Sequence, residues 1–394
     1  MSDVPRLLAA FERGDLLRPD ASSPNTVDLA RAMYALCGVP GLELTASARR
    51  MSDVIGAHDH YVFVLVDGLG MNLVEQDPAA AFFKQHLAME IRSVFPSSTA
   101  PALTSIATGA WPAQHAVPGW FTHLPDAGIT TTILPFVERF SKKDARQFAV
   151  TPEAAFPVAA LAGRMTRKAL RVTHRHIAGS VYTKYSTAGD DGYGYRSFRA
   201  GVEAVAWGVE TATGPTYTYL YVSSVDTAEH NRGVWSKPVR RALKLVSSRL
   251  ETLAGRLEGQ ARIVITADHG QTDIPLPQQT QLAEGDPLLA MLDAGPHCEP
   301  RAPAFHVKHN MHAAFETEFR SRFGARFALL TVEEADELRL FGPEAMSPET
   351  RLRLGHYVAL ATGPYTLALT HERPMVGFHG GLQADEVRVP LVVV

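Results

Sequence analysis

Hydrophobic runs that stop abruptly at an aspartate set the pattern of this chain. Tyr61 to Val66 holds five β-branched or aromatic residues in six and no charge, the pattern of a strand covered on both faces inside a sheet. It runs directly into Asp67-Gly68-Leu69-Gly70, which places Asp67 at the strand's carboxyl end. Tyr217 to Asp226 and Arg262 to Gly270 repeat the arrangement. In open α/β sheets that edge borders the ligand crevice, so Asp67, Asp226 and Asp268 are expected to face one rim.

Helical periodicity and turn signals fill the intervals. Pro24-Asn25-Thr26 starts a helix with Leu29, Ala32, Met33 and Leu36 on one face, and Gly38-Val39-Pro40 stops it. A helix is expected over Asn72 to Met89. Ser93 to Gly109 then reads as a short strand, a polar turn and a helix N-capped by Thr99 with Pro101 in its first turn. That puts a hydroxyl where unpaired backbone N–H groups favour an anion. From Trp111 to Gly214 the signals are mixed: Ile129 to Pro135 is β-like, Val202 to Trp207 is helix-like, and Tyr185 to Phe198 reads as a surface loop placed to line a pocket. Val239 to Leu257 is an amphipathic crossover helix, the βαβ order of a parallel sheet.

Prolines accumulate from Pro275 to Pro374, around a β-like Ala304 to Lys308, a helix-like His312 to Phe323 and a charged Glu333 to Arg339. Val387 to Val394 is again a buried-strand pattern that should rejoin the main sheet. The expected fold is α/β, with a mostly parallel central sheet, helices on both faces and a small inserted α+β cap. Residues 1–274 and 375–394 would form the catalytic domain and 275–374 the cap.

Composition narrows the function. A chain of 394 residues, 46% hydrophobic, can bury a large core. A net charge of −3 gives no basic footprint, so no nucleic-acid partner is expected, while a small phosphorylated molecule handled through local metal ions is compatible. Cys37 and Cys298 are too few for a disulfide framework and read as reduced thiols. The opening residues lack a signal-peptide pattern, and no run approaches the roughly 20 apolar residues of a membrane span. A cytoplasmic protein with no membrane association is the expectation; nothing in the pattern specifies an oligomeric state.

Chemistry-bearing residues sit at the strand ends. Asp268 and His269 are adjacent, Asp226 and His230 are one helical turn apart and able to grip one ion, and His379 lies in Gly377-Phe378-His379-Gly380-Gly381. Oxygen and imidazole donors without cysteine suit zinc or manganese, and their number suffices for two ions. Each residue alone has an ordinary reading as a turn former or cap; their conjunction in one order carries the weight. His306, His309 and His312, spaced by three, read as solvated cap surface, and His58 and His60 as surface positions.

Five ordered motifs carry a resemblance: Asp67-Gly68; FPSSTAP at 95–101 with TGAWPAQH at 108–115; D-x-x-x-H at 226–230; DHG at 268–270; and FHGG at 378–381. Together they resemble the alkaline phosphatase superfamily and, within it, the nucleotide pyrophosphatase/phosphodiesterase-like group (type I phosphodiesterases), over residues from about 60 to 275 and from about 375 onward. The resemblance implies two zinc ions, one held by Asp67, Asp268, His269 and the Thr99 oxygen, the other by Asp226, His230 and His379. It implies Thr99 as nucleophile, a covalent phosphoryl-threonine and a small-molecule phosphodiester substrate. His115 would brace the nucleophile loop by hydrogen bonding. Two positions depart from the group's pattern. HAVPG leads into Trp120 where relatives place an asparagine that donates to a phosphoryl oxygen, and Ala100 follows the nucleophile where nucleotide-specific relatives place an aromatic. A phosphonate hydrolase, a phosphomonoesterase, a metal-dependent phosphosugar mutase and a non-catalytic phosphate-binding scaffold are the alternatives. A sulfatase is disfavoured, because its signature needs arginine at Leu103 and cysteine or serine at Thr99.

Overall fold

The computed structural model describes residues 2–187, 192–370, 372 and 374–394. The strand predicted by the first hydrophobic run spans His60–Val66, buried from Tyr61 onward, and lies at the middle of a seven-stranded sheet. The order is Leu87–Arg92, Arg388–Val393, Arg262–Thr266, His60–Val66, Thr216–Val222, Lys168–His174, Tyr193–Tyr195. Pairing is parallel from Arg262–Thr266 through to Tyr193–Tyr195. The predicted final strand, Arg388–Val393, does rejoin this sheet but runs antiparallel to both neighbours. The sheet is therefore mixed: the chain re-enters it from the carboxyl rim, where the Gly270 N–H donates to the Glu386 carbonyl, and no crossover intervenes to restore the common direction.

The expected helix over Asn72–Met89 is instead Met71–Gln76, a 3₁₀ turn Pro78–Ala80, Ala81–Gln85 and then the edge strand Leu87–Arg92. Asp77-Pro78 is the reason. Proline cannot donate to the helix ladder and pushes its predecessor out of helical geometry, and the Asp77 carboxylate caps the next turn by accepting from Ala79 N–H. The helix expected near Asn25 forms over Thr26–Leu36, with the Asn25 side chain accepting from Asp28 N–H. The crossover helix spans Lys237–Arg256 and packs beside Phe198–Glu210. Among the described residues no helix is long and apolar enough to cross a membrane.

A second, antiparallel sheet of seven strands is ordered Phe327–Thr331, Tyr357–Ala361, Ala302–Val307, Leu292–Glu299, Phe121–Leu124, Ile129–Thr132, Val137–Glu138. It draws on residues 121–138 as well as on 292–361, joined where Cys298 pairs with Phe121. Fully buried Arg301 ties it to the segment that leads into the last strand of the first sheet. Its guanidinium donates to both Glu386 carboxylate oxygens, at 2.5 and 2.8 Å, and to Gln383 Oε1 at 2.7 Å. Glu386 in turn accepts from Gly381 N–H at 2.9 Å, two residues beyond His379.

Candidate active site

Each motif residue is delivered to the same rim by a different element. Asp67 follows the central strand, and Asp268 and His269 follow Arg262–Thr266. Asp226 and His230 project from the helix Ser224–Arg232, whose first turn lies against Asp67-Gly68. That approach requires glycine: Gly68 has φ +78°, and a Cβ there would sit 2.9 Å from the Asp226 Cα. Thr99 begins the helix Thr99–Thr108. It is not the N-cap; extended Ser98 takes that place, so Thr99 is the first helical residue, in the turn whose amides lack intrahelical partners. His379 arrives from the segment after the short strand Gly377–Phe378.

The seven residues form two adjoining groups. Asp67, Asp268 and His269 are buried; Asp226, His230 and His379 are half-buried and face a cavity. Thr99 Oγ1 lies 3.1 Å from His269 Nε2, which is 3.5 Å from a carboxylate oxygen of Asp67 and of Asp268. His230 Nε2 is 3.1 Å from Asp226 Oδ1 and 3.2 Å from His379 Nε2. The His269 and His379 rings stack with centroids 3.7 Å apart, joining the groups.

Electrostatic frustration marks the centre. Burial, then repulsion from Asp226 and Asp268, holds the Asp67 carboxyl well above its ordinary range, and burial likewise raises Asp268. At Asp226 burial acts upward but is outweighed by His230, leaving the group below its ordinary range, while Asp226 carries His230 upward against burial. Burial and the two neighbouring imidazoles push His379 well down. Asp67 Oδ1 and Asp268 Oδ2 are buried without hydrogen-bond partners, an arrangement that costs several kcal/mol per group unless a cation or proton satisfies it.

The donor set fits metal ions. One ligand atom each from Asp226, His230 and His379 lie within 4.8 Å of one another, as do those from Asp67, Asp226 and His269. Each imidazole has its Nδ1 beside a backbone carbonyl: His230 on Gly377 at 2.8 Å, His269 on Gly270 at 3.1 Å, His379 on Ser97 at 3.2 Å. These contacts place a ring proton on each Nδ1 and turn the Nε2 atoms toward one centre, the outer-sphere arrangement of metal-binding histidine. The Tyr221 hydroxyl donates to Asp67 Oδ2, and Gln271 Nε2 donates to Asp226 Oδ1 and, at 3.3 Å, to its carbonyl.

Sequence reading passed over Tyr221, Gln271 and Glu299. The alternation in YTYLYV would have set Tyr217, Tyr219 and Tyr221 on one sheet face. Glu299, remote in sequence and unmarked by any motif, lines the cavity with Thr99. Its Oε1 accepts from Trp120 N–H at 2.6 Å, and burial pushes its carboxyl up to about 7. His115 is fully buried and lies 3.0 Å from Ser105 Oγ on the Thr99 helix, its Nδ1 accepting from Val117 N–H at 3.1 Å. His306 packs against His123 and His297, with ring centroids 4.5 and 5.1 Å away, while His312 sits against His356 at 4.7 Å. His309 is exposed. Among the described residues these histidines form no metal-holding group. Ser186 and Thr187 of the expected rim loop line the cavity; residues 188–191 of that loop lie outside the described residues.

The model of the family described as type I phosphodiesterase/nucleotide pyrophosphatase matches residues 61–380. Solved structures of similar fold include murine ectonucleotide pyrophosphatase/phosphodiesterase 5, inactive and in complex with AMP, at TM-score 0.64 and 15% identity over 84% of this chain and 87% of that one. The same murine protein in a second structure gives TM-score 0.63 and 16% identity over 84% and 87%. Its human counterpart gives TM-score 0.64 and 15% identity over 84% and 87%. No curated protein sequence matches the chain.

Proposed function

Because the chain belongs to the type I phosphodiesterase/nucleotide pyrophosphatase family, we propose that it hydrolyses small-molecule phosphodiesters with Thr99 as nucleophile. Asp67, Asp268, His269 and Thr99 would hold one divalent cation, and Asp226, His230 and His379 a second, zinc suiting both donor sets. Such ions supply Lewis acidity to the attacking and leaving oxygens of an in-line displacement. The observation that carries the reading is the position of Thr99 Oγ1, 3.1 Å from His269 Nε2 on the cavity wall.

Thr99 Oγ1 forms the new bond to phosphorus as the bond to one alcohol breaks, and the hydroxyl proton ends on that alcohol. Water then hydrolyses the phosphoryl-threonine, restoring the hydroxyl and releasing a phosphomonoester. Carbonyls of Gly377, Gly270 and Ser97 keep the three imidazoles oriented. Trp120 N–H is occupied by Glu299, so it does not replace the side-chain amide that relatives direct at a phosphoryl oxygen. The AMP carried by the inactive murine structure is itself a phosphomonoester, the product type expected here. Thr99→Ala should lower turnover of bis(4-nitrophenyl) phosphate by about 10⁴-fold or more, measured with metal-replete protein. A near-normal rate in that variant overturns the assignment.

A further inference from the structure

Glu299 reaches the centre along an irregular, strained stretch of backbone. Its strand, Leu292–Glu299, slips register against Ala302–Val307 twice, between Leu292 and Ala294 and between Ala294 and His297. Cys298, the residue before it, holds φ +65°, a left-handed conformation that a residue with a Cβ rarely takes. Bulges and strained residues of this kind re-aim side chains and gather at functional sites.

The side chain aimed here ends among neighbours of the reacting groups. It lies beside Ser98, the residue before Thr99. It also packs against Gly380, the residue after His379, where φ is +103° and a Cβ would sit 2.9 Å from the Glu299 Cβ. Oε1 accepts from Trp120 N–H at 2.6 Å, and the residue borders the cavity together with Thr99, Asp226, His230 and His379. Among the described residues Glu299 forms no ion pair; Arg139, whose charge reaches it, gives its guanidinium to the Glu372 carboxylate and the Pro296 carbonyl. No asparagine or glutamine side chain lines the cavity among the described residues, so a carboxylate stands where a neutral amide would otherwise be sought.

Three ligating carboxylates against two divalent cations would leave one positive charge at the centre, a surplus that favours a phosphomonoester dianion over a diester monoanion. A fourth carboxylate beside the same centre removes that surplus. Resting on the phosphodiesterase reading, we infer that Glu299 is the specificity-determining residue for charge: its carboxylate admits the single charge of a diester and opposes the second charge of a monoester. Loss of the leaving alcohol turns the bound group into a dianion, so the same carboxylate hastens departure of the product. Like charges about 6 to 8 Å apart under an effective dielectric of about 20 oppose each other by roughly 10- to 100-fold once salt screens them.

The test is Glu299→Gln, which keeps an oxygen for the Trp120 N–H and removes the charge. Metal-replete protein is assayed at about pH 9, above the value of about 7 to which burial pushes this carboxyl. The kcat/KM ratio of bis(4-nitrophenyl) phosphate to 4-nitrophenyl phosphate should fall by about 10- to 100-fold, with the monoester value rising. Glu299→Asp, which restores the charge, should move the ratio less. Loss of both rates at an unmoved ratio, the result of a merely structural role, overturns the inference, as does an equal change in the two variants. The parent alone supplies a check that depends on no variant folding: a monoester turned over faster than the diester overturns it too. Calorimetric titration with two inert probes, phenylphosphonate carrying two charges and methylphenylphosphinate carrying one, reads the discrimination without turnover. The Gln variant should gain about 10- to 100-fold for the phosphonate relative to the phosphinate. That gain with a parent that hydrolyses no diester keeps the charge role and removes the hydrolase, whereas turnover with an unmoved probe ratio retains the hydrolase and removes the charge role.

Discussion

Replacing Tyr221 by phenylalanine deletes one oxygen and keeps the ring against Phe63's sheet face. The lost group is the donor to Asp67 Oδ2. The other oxygen of that carboxylate is already without a partner, and the residue is 2% exposed. A hydrogen bond to a charged acceptor contributes about 1.5–3 kcal/mol. The bond also holds the Asp67 carboxyl down against burial and against Asp226 and Asp268; without it the proton competes harder for the same oxygen. Both effects would weaken an ion held by Asp67, Asp268, His269 and Thr99, by about 10- to 100-fold. Asp226, His230 and His379 share no hydrogen bond with the Tyr221 hydroxyl, which donates to Asp67 Oδ2, so a second ion held by them should lose little. Zinc titration in competition with a chromophoric chelator resolves this as one weakened and one near-normal site. Equal affinities in variant and parent, or equal weakening of both sites, would refute the assignment of Tyr221 as the outer support of Asp67.

Elemental analysis of protein purified without chelator should find about two divalent ions per chain, and none would reject the centre. Glu386→Leu leaves Arg301 buried and uncompensated, which should cost about 3–5 kcal/mol; an unshifted urea midpoint at unchanged m-value would contradict that. Burial holds His115 down at about 3, whereas an unfolded histidine titrates near 6.5. The unfolded chain therefore takes up this proton first, and stability falls as pH drops below about 6.5, by up to about 1.4 kcal/mol per pH unit for this residue. His115→Gln should show a correspondingly shallower acid slope in urea titrations run between about pH 6.5 and 4; identical slopes would count against it.

How much could be read in advance depended on how local the signal was. Asp67, Asp226 and Asp268 declared themselves because each follows a continuous apolar run, and His230 because four residues is one turn of the helix that also carries Asp226. His379 was legible only through its flanking glycines. Glu299 was not, since it comes from the second sheet and meets Thr99 only through tertiary packing. The share of 121–138 in that sheet was equally hidden: four-residue strands such as Phe121–Leu124 carry too few positions for a period to show. Reversal of the last strand escaped notice because a buried strand has the same composition in either direction. The break in the helix expected over Asn72–Met89 traces to one dipeptide, Asp77-Pro78, and its last residues pair instead with the final strand, Met89 beside Leu391 and Leu87 beside Val392.

The raised carboxyls of Asp67 and Asp268 make the centre, before it takes up a cation, a proton reservoir. His379, pushed well down, holds no second proton to give up, so hydrogen ions expelled during loading come from the acids and from His230, which Asp226 carries upward. Cation uptake should then acidify a weakly buffered solution, its apparent heat should vary with the buffer's own ionisation enthalpy, and mild acid should unload the centre before it unfolds the chain.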